Sequence, residues 1–336
     1  MIKVGINGFG RIGRSFFRIA RERSELLVVA VNDLGTLPSA AYLLKHDTVY
    51  GAAPFSVEIN ADKHALIVDD KEIAFTNEKE PSDIPWGASG VDVVVESTGF
   101  FTSYEKSQAH ISAGAKRVVI TAPVKDSGGA TVLMGINEQD LSQNKITSNA
   151  SCTTNAASPI VRILHDAIGI EKALLNTVHA YTASQALVDG AGKKDLRDGR
   201  AAAQNMVPSS TGAAIAVTQA ITELADKFDG ISIRVPVIAG SIADITFLAK
   251  RQTSVEEVND ILRKAAEEER WQKVFAVTDE ELVSSDIVGS QYASIADLTM
   301  TRVVGGDLVK VLAWYDNEMG YTHALVEHVI ATSAYL

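Results

Sequence analysis

Cys152 is the only cysteine among 336 residues, and it stands in Ser151-Cys-Thr-Thr-Asn155 at the start of a helical pattern running to about Ile168. A thiol at a helix start feels the positive end of the helix, and its pKa can fall well below the free value of about 8.5, as nucleophilic sulfur chemistry requires. A free cysteine is more often a small buried apolar residue. Hydroxyl-bearing neighbours on both sides argue against a greasy pocket here, and Ser151 and Thr153 can offer hydrogen bonds to an anion. A thiol nucleophile needs a base, and seven histidines compete for that role. His165 shares the helix of Cys152 and lies too far along it to meet the sulfur. His46, His64 and His110 lie in the first half of the chain, and His323 and His328 in the final helix. His179 ends an apolar strand, Ala173–Val178, and is followed by Ala180-Tyr-Thr182; strand ends at a domain seam gather catalytic groups. From position alone a satisfied structural histidine is the better reading of it. One cysteine and scattered histidines offer no metal-ligand spacing.

A second constellation opens the chain. Gly8-Phe-Gly10-Arg-Ile-Gly13 follows a strand and begins a helix. Gly8 allows the tight turn, Gly10 lets the backbone approach a pyrophosphate, and Gly13 lets the helix pack against the strand. The helix N-terminus attracts that pyrophosphate. Asp33 ends the next strand about 20 residues beyond Gly13, where an acid accepts hydrogen bonds from an adenosine ribose and repels a 2′-phosphate. Dinucleotide binding is expected, with NAD favoured over NADP.

These groups must be positioned by about two domains, at roughly 150 residues each. Ile2–Asn7, Leu26–Asn32, Val91–Glu96 and Lys116–Thr121 read as buried strands, with helices over Arg11–Arg23 and Thr102–Ala113 between them. Near-continuous apolar strands alternating with helices imply a parallel, Rossmann-type sheet covered on both faces. Phe55–Glu58, Ala65–Val68 and Glu72–Phe75 look like a small antiparallel insertion. Beyond residue 150 the strands lengthen and alternate. Thr299–Val304 and Asp307–Leu312 flank Gly305-Gly306, a two-residue hairpin signal. Ser254-Val-Glu-Glu257 is a capping box that opens an amphipathic helix. Thr322–Ser333 reads as a last helix. The expected fold class is α/β: a Rossmann-type domain over 1–150 plus 315–336, and an α+β catalytic domain with a mostly antiparallel sheet over 151–314.

Lys and Arg number 31 against 42 Asp and Glu, a net charge of −11. That field repels polyanions and disfavours dedicated nucleic-acid or anionic-membrane binding. A lone cysteine forms no internal disulfide. With Met1 leading directly into a strand, and with no long apolar run, a cytoplasmic protein is expected.

Six motifs occur in order: Asn7-Gly-Phe-Gly-Arg-Ile-Gly13, Ser148-Asn-Ala-Ser-Cys-Thr-Thr-Asn155, His179-Ala-Tyr-Thr182, Pro208-Ser-Ser-Thr-Gly-Ala-Ala214, Arg234-Val-Pro236 and Trp314-Tyr-Asp-Asn-Glu318. The whole chain thereby resembles the phosphorylating glyceraldehyde-3-phosphate dehydrogenases. The resemblance implies NAD-dependent oxidative phosphorylation of D-glyceraldehyde 3-phosphate to 1,3-bisphosphoglycerate through a cysteine thioester, a reaction of glycolysis and gluconeogenesis. It implies Cys152 as nucleophile and His179 as its base. It implies Ser151, Thr153, Thr211 and Gly212 as the pocket for inorganic phosphate, and Thr182 and Arg234 as the clamp on the substrate's own phosphate. Asn7, Gly8, Gly10, Arg11, Ile12, Gly13, Asp33, Lys79 and Thr121 would contact NAD, Asn317 would orient the nicotinamide amide, and Tyr321 would lie near it. It further implies a homotetramer, with a loop at about Tyr181–Arg200 reaching a neighbouring subunit's cofactor.

The chain departs from its relatives in places. Ala156 stands where many carry a second cysteine, and Lys79 where an arginine often contacts the adenine edge. Gly190-Ala191 replaces a pair common in NAD-specific relatives. His46 occupies a place often held by tyrosine. Val237–Ser241 departs from the usual segment after Arg234, where substrate preference could be altered. Two other readings stand beside the first: an erythrose-4-phosphate dehydrogenase, and an NAD-binding interaction protein with secondary catalysis.

Overall fold

Ile2–Asn7 is buried at every position except Lys3, so it can only be an interior strand, and it forms β1 of a nine-stranded sheet. The computed structural model describes residues 1–192 and 195–336. It divides into two compact units, Met1–Ala150 with Leu325–Leu336, and Ser151–Ala324. The C-terminal return thus begins at Leu325 rather than at 315.

In the first unit, β1 is followed by α1 (Arg11–Ala20), β2 (Leu26–Asn32), α2 (Leu37–Lys45), β3 (Val57–Asn60), β4 (Ala65–Val68), β5 (Lys71–Thr76), β6 (Val93–Glu96), α3 (Tyr104–Ser112), β7 (Arg117–Ile120), β8 (Ala130–Thr131) and β9 (Ile146–Ser148). The strand order is β3-β4-β5-β2-β1-β6-β7-β9-β8. From β5 to β8 every neighbouring pair is parallel. The segment expected as a small antiparallel insertion is antiparallel, β3 with β4 and β4 with β5, and it forms the edge of the main sheet, because β5 pairs in parallel with β2 through Ala30–Ala74 and Asn32–Thr76. Helix α3 begins at Tyr104, where the Ser103 hydroxyl accepts from Lys106 N. Helix α1 stops at Ala20 rather than Arg23, and Arg21–Arg23 turn back toward β2.

The second unit opens with α4 (Cys152–Ile168), followed by β10 (Ile170–Ala180), β11 (Val207–Ser210), α5 (Ala213–Ala220), β12 (Phe228–Val235), β13 (Ser241–Ala249), α6 (Val255–Glu267), β14 (Phe275–Thr278), β15 (Ser294–Val304) and β16 (Leu308–Tyr315). Helix α7 (Met319–Thr332) closes the chain's helical complement. The sheet order is β11-β12-β10-β13-β16-β15-β14, antiparallel except at β10/β12 and β14/β15. Helix α4 packs on this sheet and against α5 and α6. It runs through Pro159, although proline cannot donate to the Asn155 carbonyl.

Two local expectations need correction. Val304 pairs with Leu308, so the hairpin loop has three residues, Gly305 to Asp307. The Ser254 hydroxyl does accept from Glu257 N (3.2 Å), but the Glu257 carboxylate turns to Arg251 and Thr253 instead of reaching back, so only half of the capping box forms.

Candidate active site

Cys152 is delivered to the start of α4 by a strained turn. Ala150, fully buried, holds a left-handed φ of 54°, a conformation that costs a residue with a Cβ about 1 kcal/mol or more. Ser151 then caps the helix, its hydroxyl accepting from Thr154 N (3.1 Å). Cys152 is the first helical residue, which puts its sulfur at the positive end of a 17-residue helix.

His179 lies near the end of β10, and its Nε2 is 3.3 Å from Cys152 Sγ. Its Nδ1 faces the Ala180 carbonyl at 2.6 Å. A carbonyl only accepts, so Nδ1 carries the hydrogen and Nε2 keeps a lone pair for the thiol proton. Sequence position had favoured a structural histidine, and the geometry instead gives a sulfur–imidazole pair. Burial opposes each charge taken singly: it pushes the Cys152 thiol up to about 11 and the His179 imidazole down to about 4. The expectation of a thiol below its free value, drawn from the helix end alone, is thus outweighed by desolvation. The Thr153 N–H and hydroxyl and the Arg234 charge act in the opposite direction on the sulfur. Moving a proton across the 3.3 Å contact creates two charges that attract each other, so a shift within the pair costs less than charging either group alone.

Parallel pairing of β10 with β12 sets Arg234 beside His179. Arg234 Nη1 donates to the Thr182 hydroxyl (3.2 Å), joining the two residues expected to clamp a phosphate. Arg234 Nε is buried without a hydrogen-bond partner. A guanidinium with an unused buried donor is suited to an anion.

The hydroxyls around the pair were not all legible in advance. Thr153 Oγ1 bonds to the Tyr315 hydroxyl (2.9 Å), which also meets Thr177 Oγ1 (2.7 Å). The Tyr315 ring stands edge-on to His179, with centroids 6.0 Å apart, and burial raises the Tyr315 pKa. Ser241 Oγ accepts from Ala180 N (3.1 Å) and donates to Asn317 Oδ1 (3.1 Å). It thereby ties Ala180, the residue whose carbonyl orients His179, to the asparagine expected to orient a nicotinamide. Sequence reading singled out Ser241 only as the end of a divergent segment; it quoted Tyr315 within a motif without giving it a role, and it missed Thr177. Thr211 and Gly212 lie beyond β11, whose register sets Val207, not Ser210, opposite Arg234. The Thr211 hydroxyl accepts from Ala213 N (3.1 Å) at the start of α5. Tyr321 is buried early in α7. Of the expected loop Tyr181–Arg200, residues 193 and 194 lie outside the described residues.

The first unit carries a groove of about 410 Å³ at the carboxyl ends of its parallel strands, the usual ligand position in such sheets. Asn7, Gly8, Gly10, Asp33 and Lys79 line it, together with Asn32, Ser97, Thr98, Phe100 and Phe101, which sequence reading did not select. Gly8 has a φ of 91°. A Cβ on Gly13 would come within 2.1 Å of the Gly8 carbonyl, whereas one on Gly10 would meet nothing within 4 Å. Gly13 is therefore needed for packing, and Gly10 leaves open space where a pyrophosphate would sit. The Asp33 carboxylate is aimed by backbone donors, Phe9 N on Oδ2 and Gly35 N on Oδ1, each at 2.7 Å. Lone pairs remain for ribose hydroxyls. These residues fit a dinucleotide. Arg11, Ile12, Gly13 and Thr121 are not among those lining the groove. Arg11 pairs with Asp47 and lies over the Tyr50 ring, and Thr121 N donates to Glu96 O (3.0 Å). Among the described residues no group of three or more His, Cys, Asp or Glu could hold a metal ion.

Comparison with known proteins yields two family models. Residues 2–104 match "Glyceraldehyde 3-phosphate dehydrogenase, NAD binding domain", and residues 151–317 match "Glyceraldehyde 3-phosphate dehydrogenase, C-terminal domain". Among curated proteins, the chain is 46% identical over 329 residues to glyceraldehyde-3-phosphate dehydrogenase 2 of Streptomyces avermitilis, covering 97% of both chains. It is 45% identical over 331 residues to the glyceraldehyde-3-phosphate dehydrogenase of Clostridium acetobutylicum, again with 97% of each chain. The enzyme of the same name from Geobacillus stearothermophilus is 44% identical over 328 residues, covering 97% of this chain and 96% of its own.

Proposed function

The chain belongs to the glyceraldehyde-3-phosphate dehydrogenase family and has that NAD-dependent activity, and from this premise we propose that Cys152 and His179 carry it out through a thioester. The carrying observation is the 3.3 Å contact between Cys152 Sγ and a His179 Nε2 that is free to accept a proton.

The reaction follows from that contact. His179 Nε2 takes the thiol proton as Cys152 Sγ adds to the aldehyde carbon, giving a hemithioacetal. Arg234 and Thr182 hold the substrate's phosphate. The helix start at Cys152 stabilises negative charge on the former aldehyde oxygen. His179 passes the thiol proton to that oxygen and then takes it back as the carbon gives up its hydride. When bound, NAD would supply the hydride acceptor; Asp33, Lys79 and the Gly8–Gly13 turn would hold it and Asn317 would orient its amide. The carbon is left as a thioester on Cys152. Inorganic phosphate, gathered by Ser151, Thr153, Thr211 and Gly212, attacks that carbonyl, the carbon–sulfur bond breaks, and an acyl phosphate leaves. Hydroxyls and one arginine handle these anions without a basic surface, which reconciles the chemistry with a net charge of −11.

We place the reaction in the cytoplasm, where a reduced thiol persists, and expect it to run in either direction, as glycolysis and gluconeogenesis require. We also propose a homotetramer. Leu174 and Ile231 on neighbouring strands, and Leu187, Val188 and Leu196 on the 181–200 loop, are exposed apolar side chains. Such surface is normally covered by a partner.

Mixing the protein with NAD and glyceraldehyde 3-phosphate, without phosphate, should release one NADH per chain in a burst, with turnover beginning when phosphate is added. Absence of the burst would overturn the thioester route. Light scattering reads the assembly, and a mass near 35.9 kDa would reject the tetramer.

A further inference from the structure

Glu96 is buried to 2% exposure at the end of β6, beneath the groove, and the mechanism does not use it. Its two oxygens serve two lining segments that lie side by side, since β1 pairs with β6 and the Ser97 hydroxyl donates to Gly8 O (2.6 Å). Oε2 accepts from the Asn7 side-chain amide (2.6 Å), on the residue before Gly8. Oε1 accepts from the backbone N of Thr98 (2.9 Å) and from its hydroxyl. Thr98 in turn accepts from Phe100 N (3.1 Å), so Glu96 braces the Thr98–Phe100 segment as well as the Asn7 side chain.

The carboxylate is itself aimed from behind. The Trp86 indole N–H donates to His110 Nδ1 (3.0 Å), and an indole can only donate. His110 Nε2 therefore carries the hydrogen and donates to Glu96 Oε2 (3.0 Å). Trp86, His110 and Asn7 are each buried to 1% exposure or less. Asn7 has its carbonyl oxygen occupied as well, by the Asn32 amide (2.8 Å). Asn7 and His110 donate to one carboxylate oxygen and Thr98 to the other, so an amide nitrogen in place of either oxygen would face a donor.

We propose that Glu96 is a positioning residue for dinucleotide binding: it braces the Asn7–Gly8 turn and the neighbouring Thr98–Phe100 segment and so sets the shape of the groove they line, with Trp86 and His110 holding it in that orientation. The proposal rests on the reading that this groove takes NAD. Glu96 touches no reacting atom, so its loss should appear in affinity for NAD and in KM for NAD, while kcat at saturating NAD changes little.

The test measures NAD binding by calorimetry in wild type, Glu96→Gln, His110→Phe and a control core variant, Val119→Ala, with thermal midpoints recorded for all. Glu96→Gln is expected to weaken NAD at least tenfold, and His110→Phe, which removes one donor away from the groove, at least threefold. Val119→Ala should lower the midpoint without weakening NAD. Affinity within twofold of wild type in Glu96→Gln overturns the proposal, as does an equal affinity loss in a Val119→Ala protein of matched midpoint. Should Glu96→Gln fail to fold, His110→Phe decides alone, an unchanged affinity overturning it. Gly10→Val separates the two readings. If it leaves NAD binding intact, the groove assignment fails. If it weakens NAD while Glu96→Gln does not, only the positioning role fails.

Discussion

The His179 imidazole is gripped on one nitrogen by the Ala180 carbonyl, 2.6 Å away, and turned with the other to the Cys152 sulfur at 3.3 Å. The backbone of β10 thus fixes the tautomer, and no carboxylate is needed behind the histidine. Burial holds both partners toward their uncharged forms, which makes the sulfur's reactivity depend on its neighbour.

That dependence can be read in the pH profile of thiol alkylation. In His179→Asn the thiol has no base, and its reaction with iodoacetamide should rise only as pH climbs toward about 11, the value to which burial pushes it. At pH 7 the rate should fall by roughly a hundredfold, the lower range for loss of a general base. An unchanged profile would remove His179 from the role.

Ser241→Ala deletes the hydroxyl between Ala180 N and Asn317 Oδ1. Two hydrogen bonds at about 1 kcal/mol each predict a loss of roughly tenfold to thirtyfold in kcat/KM. NAD affinity and kcat would both be measured, and full activity would show that the bridge is idle.

Asp33→Gly removes the carboxylate that Phe9 N and Gly35 N aim. The ratio of kcat/KM for NADP over NAD should rise, because repulsion of a 2′-phosphate is lost together with the ribose contact. An unaltered ratio would contradict the assignment.

Stability should carry the mark of His328. It is fully buried between Thr147 and Asn149, and burial lowers its pKa to about 3 from an ordinary 6.5. As pH falls below about 6.5 the unfolded chain takes up this proton while the folded protein does not, so stability drops, by roughly 1.4 kcal/mol per pH unit for this one group. The loss begins below the unfolded value and continues until the folded pKa is reached. Urea unfolding at pH 7 and pH 5 should show a shallower decline in His328→Gln than in wild type; parallel declines would refute the attribution.

How much of this was readable from residue types depends on how local the cause is. Gly8, Gly10, Gly13 and Asp33 act within one strand–turn–helix unit, and their spacing carries their meaning. Cys152 announced itself by being alone among hydroxyls, whereas the position of His179 favoured a structural role and only the motif resemblance picked it out as a base. The thiol's burial depends on everything packed around it, so the helix end seen in sequence misjudged the direction of its pKa. Glu96, His110 and Trp86 stand on separate elements, and no window of sequence holds them together. The pairing of β5 with β2 was missed because the period of a strand does not reveal which edge it joins.

Ala150 leaves one more mark. The bend that presents Cys152 is built from an unfavourable torsion at a fully buried, methyl-bearing residue. Bulk or branching there has nowhere to go, and glycine would ease the bend while loosening the aim of the sulfur. Any redesign of this enzyme that keeps its sulfur chemistry must treat that inconspicuous alanine as untouchable.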